Sequence, residues 1–159
     1  MNENNPNNIS ELLKALEDSH EDVRWRAAVA LGNIGSETTI PGLIKALEDF
    51  DRYVRANAAE ALGKIGTEKA IPGLLKALED SDWYVRGNAS EALGNIGSRK
   101  AIPGLFKALE DSDRYVRGKA AFALGNINTE KAIPELLKAL EDSDWYVRGK
   151  AAEALEKIS

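Results

Sequence analysis

Two kinds of side chain in this sequence invite a chemical reading. His20 and Glu21, in "SHED", set an imidazole beside a carboxylate, a pairing that can hold a metal ion or pass a proton. Carboxylates also stand side by side at Glu48-Asp49, Glu79-Asp80, Glu110-Asp111 and Glu141-Asp142, as acid–base catalysis would use them if two met at one bond. Spacing argues against both. His20 is the only histidine, and the positions aligned with His20-Glu21 hold Asp51-Arg52, Asp82-Trp83, Asp113-Arg114 and Asp144-Trp145, so a metal ion would find a single pair. The acidic pairs recur every 31 residues, which spreads them along an edge instead of gathering them. There is no cysteine, which excludes disulfides, thiolate metal sites and a cysteine nucleophile. "GNIG" and "GKIG" lack the Lys-Ser/Thr of a phosphate loop and close helices instead of opening them. The sequence predicts no catalysis, no metal and no cofactor.

The spacing that removes an active site supplies an architecture. "DSDWYVRG" occurs at 80–87 and again at 142–149, with "DSDRYVRG" between them at 111–118. Asp18, Asp49, Asp80, Asp111 and Asp142 are each 31 residues apart, and five copies fill 9–39, 40–70, 71–101, 102–132 and 133–159. A period of this length signals a solenoid, in which each unit covers its apolar face with its neighbour. Within a copy, Ile71, Leu74, Leu75 and Leu78 follow the spacing of one helical face, with Pro72 confined to the opening turn, where a missing N–H costs nothing. Ser81-Asp82 then offers an N-cap to a second helix whose apolar stripe is Val85, Ala89, Ala92, Leu93 and Ile96. Gly35, Gly66, Gly97 and Asn128 follow that helix at the left-handed closing position. No segment alternates with strand period. The predicted fold is all-α, an α-solenoid of five helical hairpins.

"AIPGLLKALED", a short Asp-rich turn, "YVR" and then "A-x-x-AL-G-x-IG" resemble the HEAT-like repeat of the phycobilisome-lyase type, over 9–158. The resemblance implies a right-handed superhelix with second helices on the concave side and first helices on the convex side. It also implies hydrogen-bonded links between adjacent repeats, made here by the Asp18 series and by Arg24, Arg55, Arg86, Arg117 and Arg148. His20-Glu21 is similar to the pairs of the HEAT-repeat metal enzyme deoxyhypusine hydroxylase, but a di-iron site needs several such pairs. The family hosts unrelated activities, so the resemblance speaks to fold more than to function.

Residues that change between copies are the candidates for a binding site. On the second helix they form a strip centred about 130° from the apolar stripe, sampled in copy two by Ala56, Asn57, Glu60 and Lys64. Its contents are Trp25, Arg26, Val29 and Asn33; Asn57, Glu60 and Lys64; Asn88, Glu91 and Asn95; Lys119, Phe122 and Asn126; and Lys150, Glu153 and Lys157. Five of these are basic and three acidic, so the strip is mixed in charge. The plain reading is drift on a solvated face. Trp25, Val29 and Phe122 argue for more, since they put large apolar groups where other copies carry Gly, Ala or Glu. Trp25 can equally cover the end of the stack. On the turn edge Tyr53, Tyr84, Tyr115 and Tyr146 recur, each preceded in alternation by Arg52, Trp83, Arg114 or Trp145. Neighbouring rungs about 8 to 10 Å apart would let each Arg lie over a Trp ring.

Composition bounds the rest. A net charge of −5 and a pI near 5.1 disfavour generic attraction to nucleic acid or anionic membrane, and no apolar run is long enough to span a bilayer. "MNENNPNN" lacks the order of a signal peptide and reads as a disordered arm over 1–8 on a cytoplasmic protein. Three function classes follow. The first is a non-enzymatic protein- or peptide-binding scaffold using the concave strip. The second is an accessory or chaperone-type subunit of a bilin lyase, with Arg26 or Lys119 as propionate anchors; the third, least favoured by charge, is nucleic-acid binding. The last copy stops four residues short of a full unit, and Glu156 replaces the Gly of positions 32, 63, 94 and 125, so weak end-to-end self-association is expected.

Overall fold

Each 31-residue unit forms a short helix, a tight turn and a longer helix in the computed structural model, which describes residues 6–158. The first helices are α1 (Pro6–Ala15), α3 (Ile40–Ala46), α5 (Ile71–Ala77), α7 (Ile102–Ala108) and α9 (Ile133–Ala139). The second helices are α2 (Glu21–Ile34), α4 (Arg52–Ile65), α6 (Trp83–Ile96), α8 (Arg114–Ile127) and α10 (Trp145–Ile158). One 3-10 turn joins each hairpin to the next, and no strand occurs among the described residues. Residues 1–5 of the expected arm lie outside the described residues. Its inner end is helical: Pro6 opens α1 at a position where proline's fixed φ suits the helix and no intrahelical N–H is lost.

Caps set the helix limits as the residue types require. Asp51, Asp82, Asp113 and Asp144 each accept a hydrogen bond from the backbone N–H two residues on, satisfying a donor that the helix start leaves unpaired. Gly35, Gly66 and Gly97 close α2, α4 and α6 with φ of 69°, 75° and 74°, and Asn128 closes α8 at 54°. Leu31, Leu62, Leu93 and Leu124 from the second helices meet Leu43, Leu74, Leu105 and Leu136 from the first, all fully buried, in one core running the length of the stack.

The two layers are not equally spaced. Successive second helices pack directly on one another, while successive first helices stand farther apart. The close approach needs glycine: a Cβ added at Gly63 would come within 2.7 Å of the Ala92 Cα, and one at Gly94 within 2.5 Å of the Ala123 Cα. A stack that is tighter on one side bends toward that side, so the second helices form its inner surface.

Adjacent repeats are locked by a recurring joint that runs forward along the chain. The Arg86 guanidinium donates through Nε and Nη2 to both carboxylate oxygens of Asp111 in the next repeat, at 2.8 and 2.9 Å. Its Nη1 donates to the Asp80 and Ser81 carbonyls of its own turn. Arg24 with Asp49, Arg55 with Asp80, and Arg117 with Asp142 repeat the arrangement. Burial raises the Asp49 and Asp111 carboxyls, but the guanidinium and the backbone N–H of Asp51 or Asp113 outweigh it and hold both below the ordinary aspartate value. For Asp142 the Arg117 hydrogen bond is the largest influence, and the shift is again downward. Lys45, Lys76 and Lys107 reach back to Glu17, Glu48 and Glu79, an exposed series on the outer side.

Candidate functional site

His20 is exposed at the N-cap of α2; its backbone N–H and ring Nδ1 both meet Asp18. No group of three or more His, Cys, Asp or Glu that could hold a metal occurs among the described residues. In the acidic pairs Glu48-Asp49 and Glu79-Asp80, each Glu is met by the Lys of the next repeat and each Asp by the Arg of the previous one. These carboxylates hold the stack together, each paired with a cation of an adjacent repeat.

The second-helix strip is a surface of joined polar side chains. Lys64 reaches Glu60 at 2.9 Å and donates to the Asn33 Oδ1 of the previous rung at 3.3 Å. Lys119 bonds Glu91 across a rung, Lys157 donates to the Asn126 Oδ1 across another, and Lys150 holds Glu153 on its own helix. That last bond is the main cause of the raised Lys150 pKa. Phe122 is half-buried among these cations: the Lys119, Lys150 and Lys157 ammoniums lie 6.0, 5.9 and 4.9 Å from its ring centre. Val29 is half-buried and Asn95 exposed. Glu60, Lys64, Asn88, Glu91 and Asn95 converge with Tyr84 and Tyr115 on a hollow of about 320 Å³. Burial foremost, then the Glu91 charge, pushes the Tyr115 phenol well up, so it remains a neutral O–H at physiological pH.

Two members of the expected strip are not on the surface. Ala56 is buried, and Asn88 is buried with its Nδ2 donating to the Tyr84 carbonyl one turn back; Asn57 makes the same bond to Tyr53 while staying half-buried. A second helix inside the stack has a neighbour on each side, so positions flanking its apolar stripe are covered by the next rung. Gly87 and Gly118, which align with Ala56, show how: the Tyr115 and Tyr146 rings occupy the space a Cβ would need. The tyrosines therefore pack between rungs and wall the hollow instead of only fringing the turn edge. A small residue at 87 and 118, each followed 28 residues later by Tyr, is the signal that could have revealed this. Trp25 stands at the same aligned position in the first repeat, half-buried against the core with the Arg26 guanidinium 5.4 Å from its ring centre.

The turn edge also differs from expectation. Arg52 lies over the Tyr53 ring of its own repeat at 4.9 Å and donates to the Asp82 cap of the next, and Arg114 donates to Asp144. A carboxylate outbids an indole face for a guanidinium, because a charge-assisted hydrogen bond is stronger than an exposed cation–π contact. Trp83 instead meets Tyr84 and Tyr115 edge-on.

Comparison with known proteins agrees with this geometry. The HEAT-repeat family matches the chain over residues 4–47, 40–112 and 102–159. Among solved structures, the complex of CpcE and CpcF of phycocyanin lyase from Nostoc sp. PCC7120 is similar over 100% of this chain and 68% of that one, at 31% identity and a TM-score of 0.86. A designed armadillo repeat protein in complex with the peptide (KR)4 is similar over 96% of this chain and 82% of its own, at 25% identity and a TM-score of 0.70. Human deoxyhypusine hydroxylase, at 18% identity and a TM-score of 0.52 over 97% of this chain and 85% of its own, shares the fold. No curated protein sequence matches the chain. No helix among the described residues is long and apolar enough to cross a membrane.

Proposed function

Because the chain belongs to the HEAT-repeat family, we propose that it is a non-enzymatic scaffold that binds a protein or peptide along the inner, second-helix strip. The observation that carries this reading is the hollow bounded by Glu60, Lys64, Glu91, Asn95 and Tyr115, a polar, partly aromatic trough that spans three repeats on the inner face. Polar groups around rigid aromatic walls suit an extended chain, whose backbone offers donors and acceptors at regular spacing. The similar structures point the same way, one being a complex of two protein chains and another a repeat protein holding a peptide. Charge weighs against nucleic acid: Lys64, Lys119 and Lys150 are each matched by a carboxylate, so the strip offers phosphates little net field.

The test is affinity for a partner captured from the host, measured beside thermal stability. Asn95→Trp fills the hollow and Phe122→Glu removes an aromatic of α8 from the strip while installing the residue of copies two, three and five. Binding should weaken about tenfold or more in either variant with the melting temperature kept, whereas Leu137→Gln on the outer α9 should leave it unchanged. Equal affinity in all three would remove the strip as the site.

A second reading, a subunit or chaperone of a bilin lyase, draws on the similarity to the phycocyanin lyase complex. The three lysines around Phe122 supply cations beside an aromatic face, the pairing that a propionate-bearing chromophore would use. An absorbance scan with added phycocyanobilin tests it, and an unchanged spectrum would count against it.

A further inference from the structure

A second cleft opens on the turn edge, away from the strip. It measures about 580 Å³ and is lined by Trp83, Asp113, Arg114, Tyr115, Trp145 and Tyr146. Trp83 and Trp145, from copies three and five, are 44% and 71% exposed. With Phe50 and Tyr53 they account for every exposed large apolar side chain among the described residues except Leu137, so exposed aromatic surface is concentrated on this one edge. Trp83 is propped edge-on against Tyr115, with ring centres 5.4 Å apart, and Trp145 against Tyr146 at 6.3 Å.

The neighbouring rungs indicate what such a place accepts. The cap carboxylates Asp82 and Asp144 each use one oxygen for a backbone N–H and the other for a guanidinium from the preceding repeat: Arg52 at 3.3 Å and Arg114 at 3.1 Å. Asp113 is built alike, with one oxygen accepting from the Tyr115 N–H at 2.8 Å, but the aligned residue of the preceding repeat is Trp83. No Lys or Arg side chain pairs with Asp113 among the described residues; Arg86 and Arg117, whose charges interact with it, are held by Asp111 and Asp142. Arg114, in the wall of the cleft, has its charge matched by Asp144.

We propose that this cleft receives an arginine side chain of a partner protein, its guanidinium bonded to Asp113 and its flat faces against Trp83 and Trp145. Arginine fits better than lysine because it is planar, stacks on indole and can reach a carboxylate while doing so. The net charge of −5 favours the approach of a cationic partner. This inference does not rest on the strip, and either can fail without the other.

The probe is a blocked octapeptide of alternating Gly and Arg at low salt, with the Gly-Lys and Gly-Glu peptides beside it, read by the indole N–H signals of the protein and by calorimetry. The Arg peptide should move the Trp83 and Trp145 signals and leave Trp25 still. Asp113→Asn, which keeps a capping side chain, should weaken binding about tenfold, and Trp145→Ala about threefold. Glu110→Gln removes the same charge outside the cleft and should change affinity less than about twofold. The Lys peptide should bind more weakly than the Arg peptide. Equal losses in Asp113→Asn and Glu110→Gln, equal binding of the Lys and Arg peptides, or no movement of either edge tryptophan would each overturn the proposal. If Asp113→Asn melts early, Trp145→Ala decides, since a ring so exposed can be removed without opening the core.

Discussion

A single arginine does three jobs in each joint, and that concentration makes it the residue whose loss should be felt most. Arg86 satisfies both oxygens of Asp111 and two carbonyls of its own turn. Arg86→Ala leaves a half-buried carboxylate without its cation and should lower stability by about 1 to 3 kcal/mol in denaturant melts. Arg148 makes the carbonyl contacts but faces no following carboxylate, so Arg148→Ala should remove far less. Arg86→Lys should recover only part of the loss, because an ammonium cannot span two carboxylate oxygens as the fork does. The same joints set the acid response. Asp49, Asp111 and Asp142 lie below the ordinary aspartate value of 3.8 in the folded chain, so their contribution is present above that value and lost as pH falls through the lowered one. The melting temperature should drop as pH falls below about 4, and Asp111→Asn should flatten that drop while lowering the plateau at neutral pH.

For the helices, the question is how closely two backbones may approach. Alanine normally stabilises a helix interior over glycine by about 1 kcal/mol, yet at Gly94 the added carbon would strike the Ala123 backbone at 2.5 Å. Gly94→Ala should therefore destabilise, by about 1 to 3 kcal/mol. Gly149, inside α10, has nothing within 4 Å of the same added carbon, and Gly149→Ala should stabilise by up to about 1 kcal/mol. Opposite signs for the same substitution at two different positions of the second helix would be read directly from thermal melts. This contrast also explains what the sequence could reveal. Val85, Ala89 and Leu93 were legible as core because a helical period marks one stripe, and the caps were legible because Asp and Gly do local work. The burial of Ala56 and Asn88 was not, since it depends on what the neighbouring rung places beside them. The Arg52 and Arg114 contacts were hidden for a related reason: Asp and Trp were both within reach, and only the placement of the next cap shows which one receives the guanidinium.

For the molecule as a whole, several groups of the fifth repeat are more exposed than their counterparts in the other repeats. Arg148 extends toward solvent, Leu137 is 52% exposed, and Glu156 occupies the position where Gly32, Gly63, Gly94 and Gly125 admit the following Ala. A second copy continuing the same geometry would bring its Asp18 to Arg148 and its Ala30 to Glu156, so one contact invites stacking and the other obstructs it. Glu156→Gly should thus increase concentration-dependent sedimentation relative to the parent, and Arg148→Ala in that background should reverse the increase. The joint has a direction with a further consequence. In each part-buried joint the guanidinium precedes its carboxylate by 25 residues, as Arg24 precedes Asp49 and Arg117 precedes Asp142. A chain emerging from the ribosome therefore completes each donor of this joint 25 residues before its acceptor.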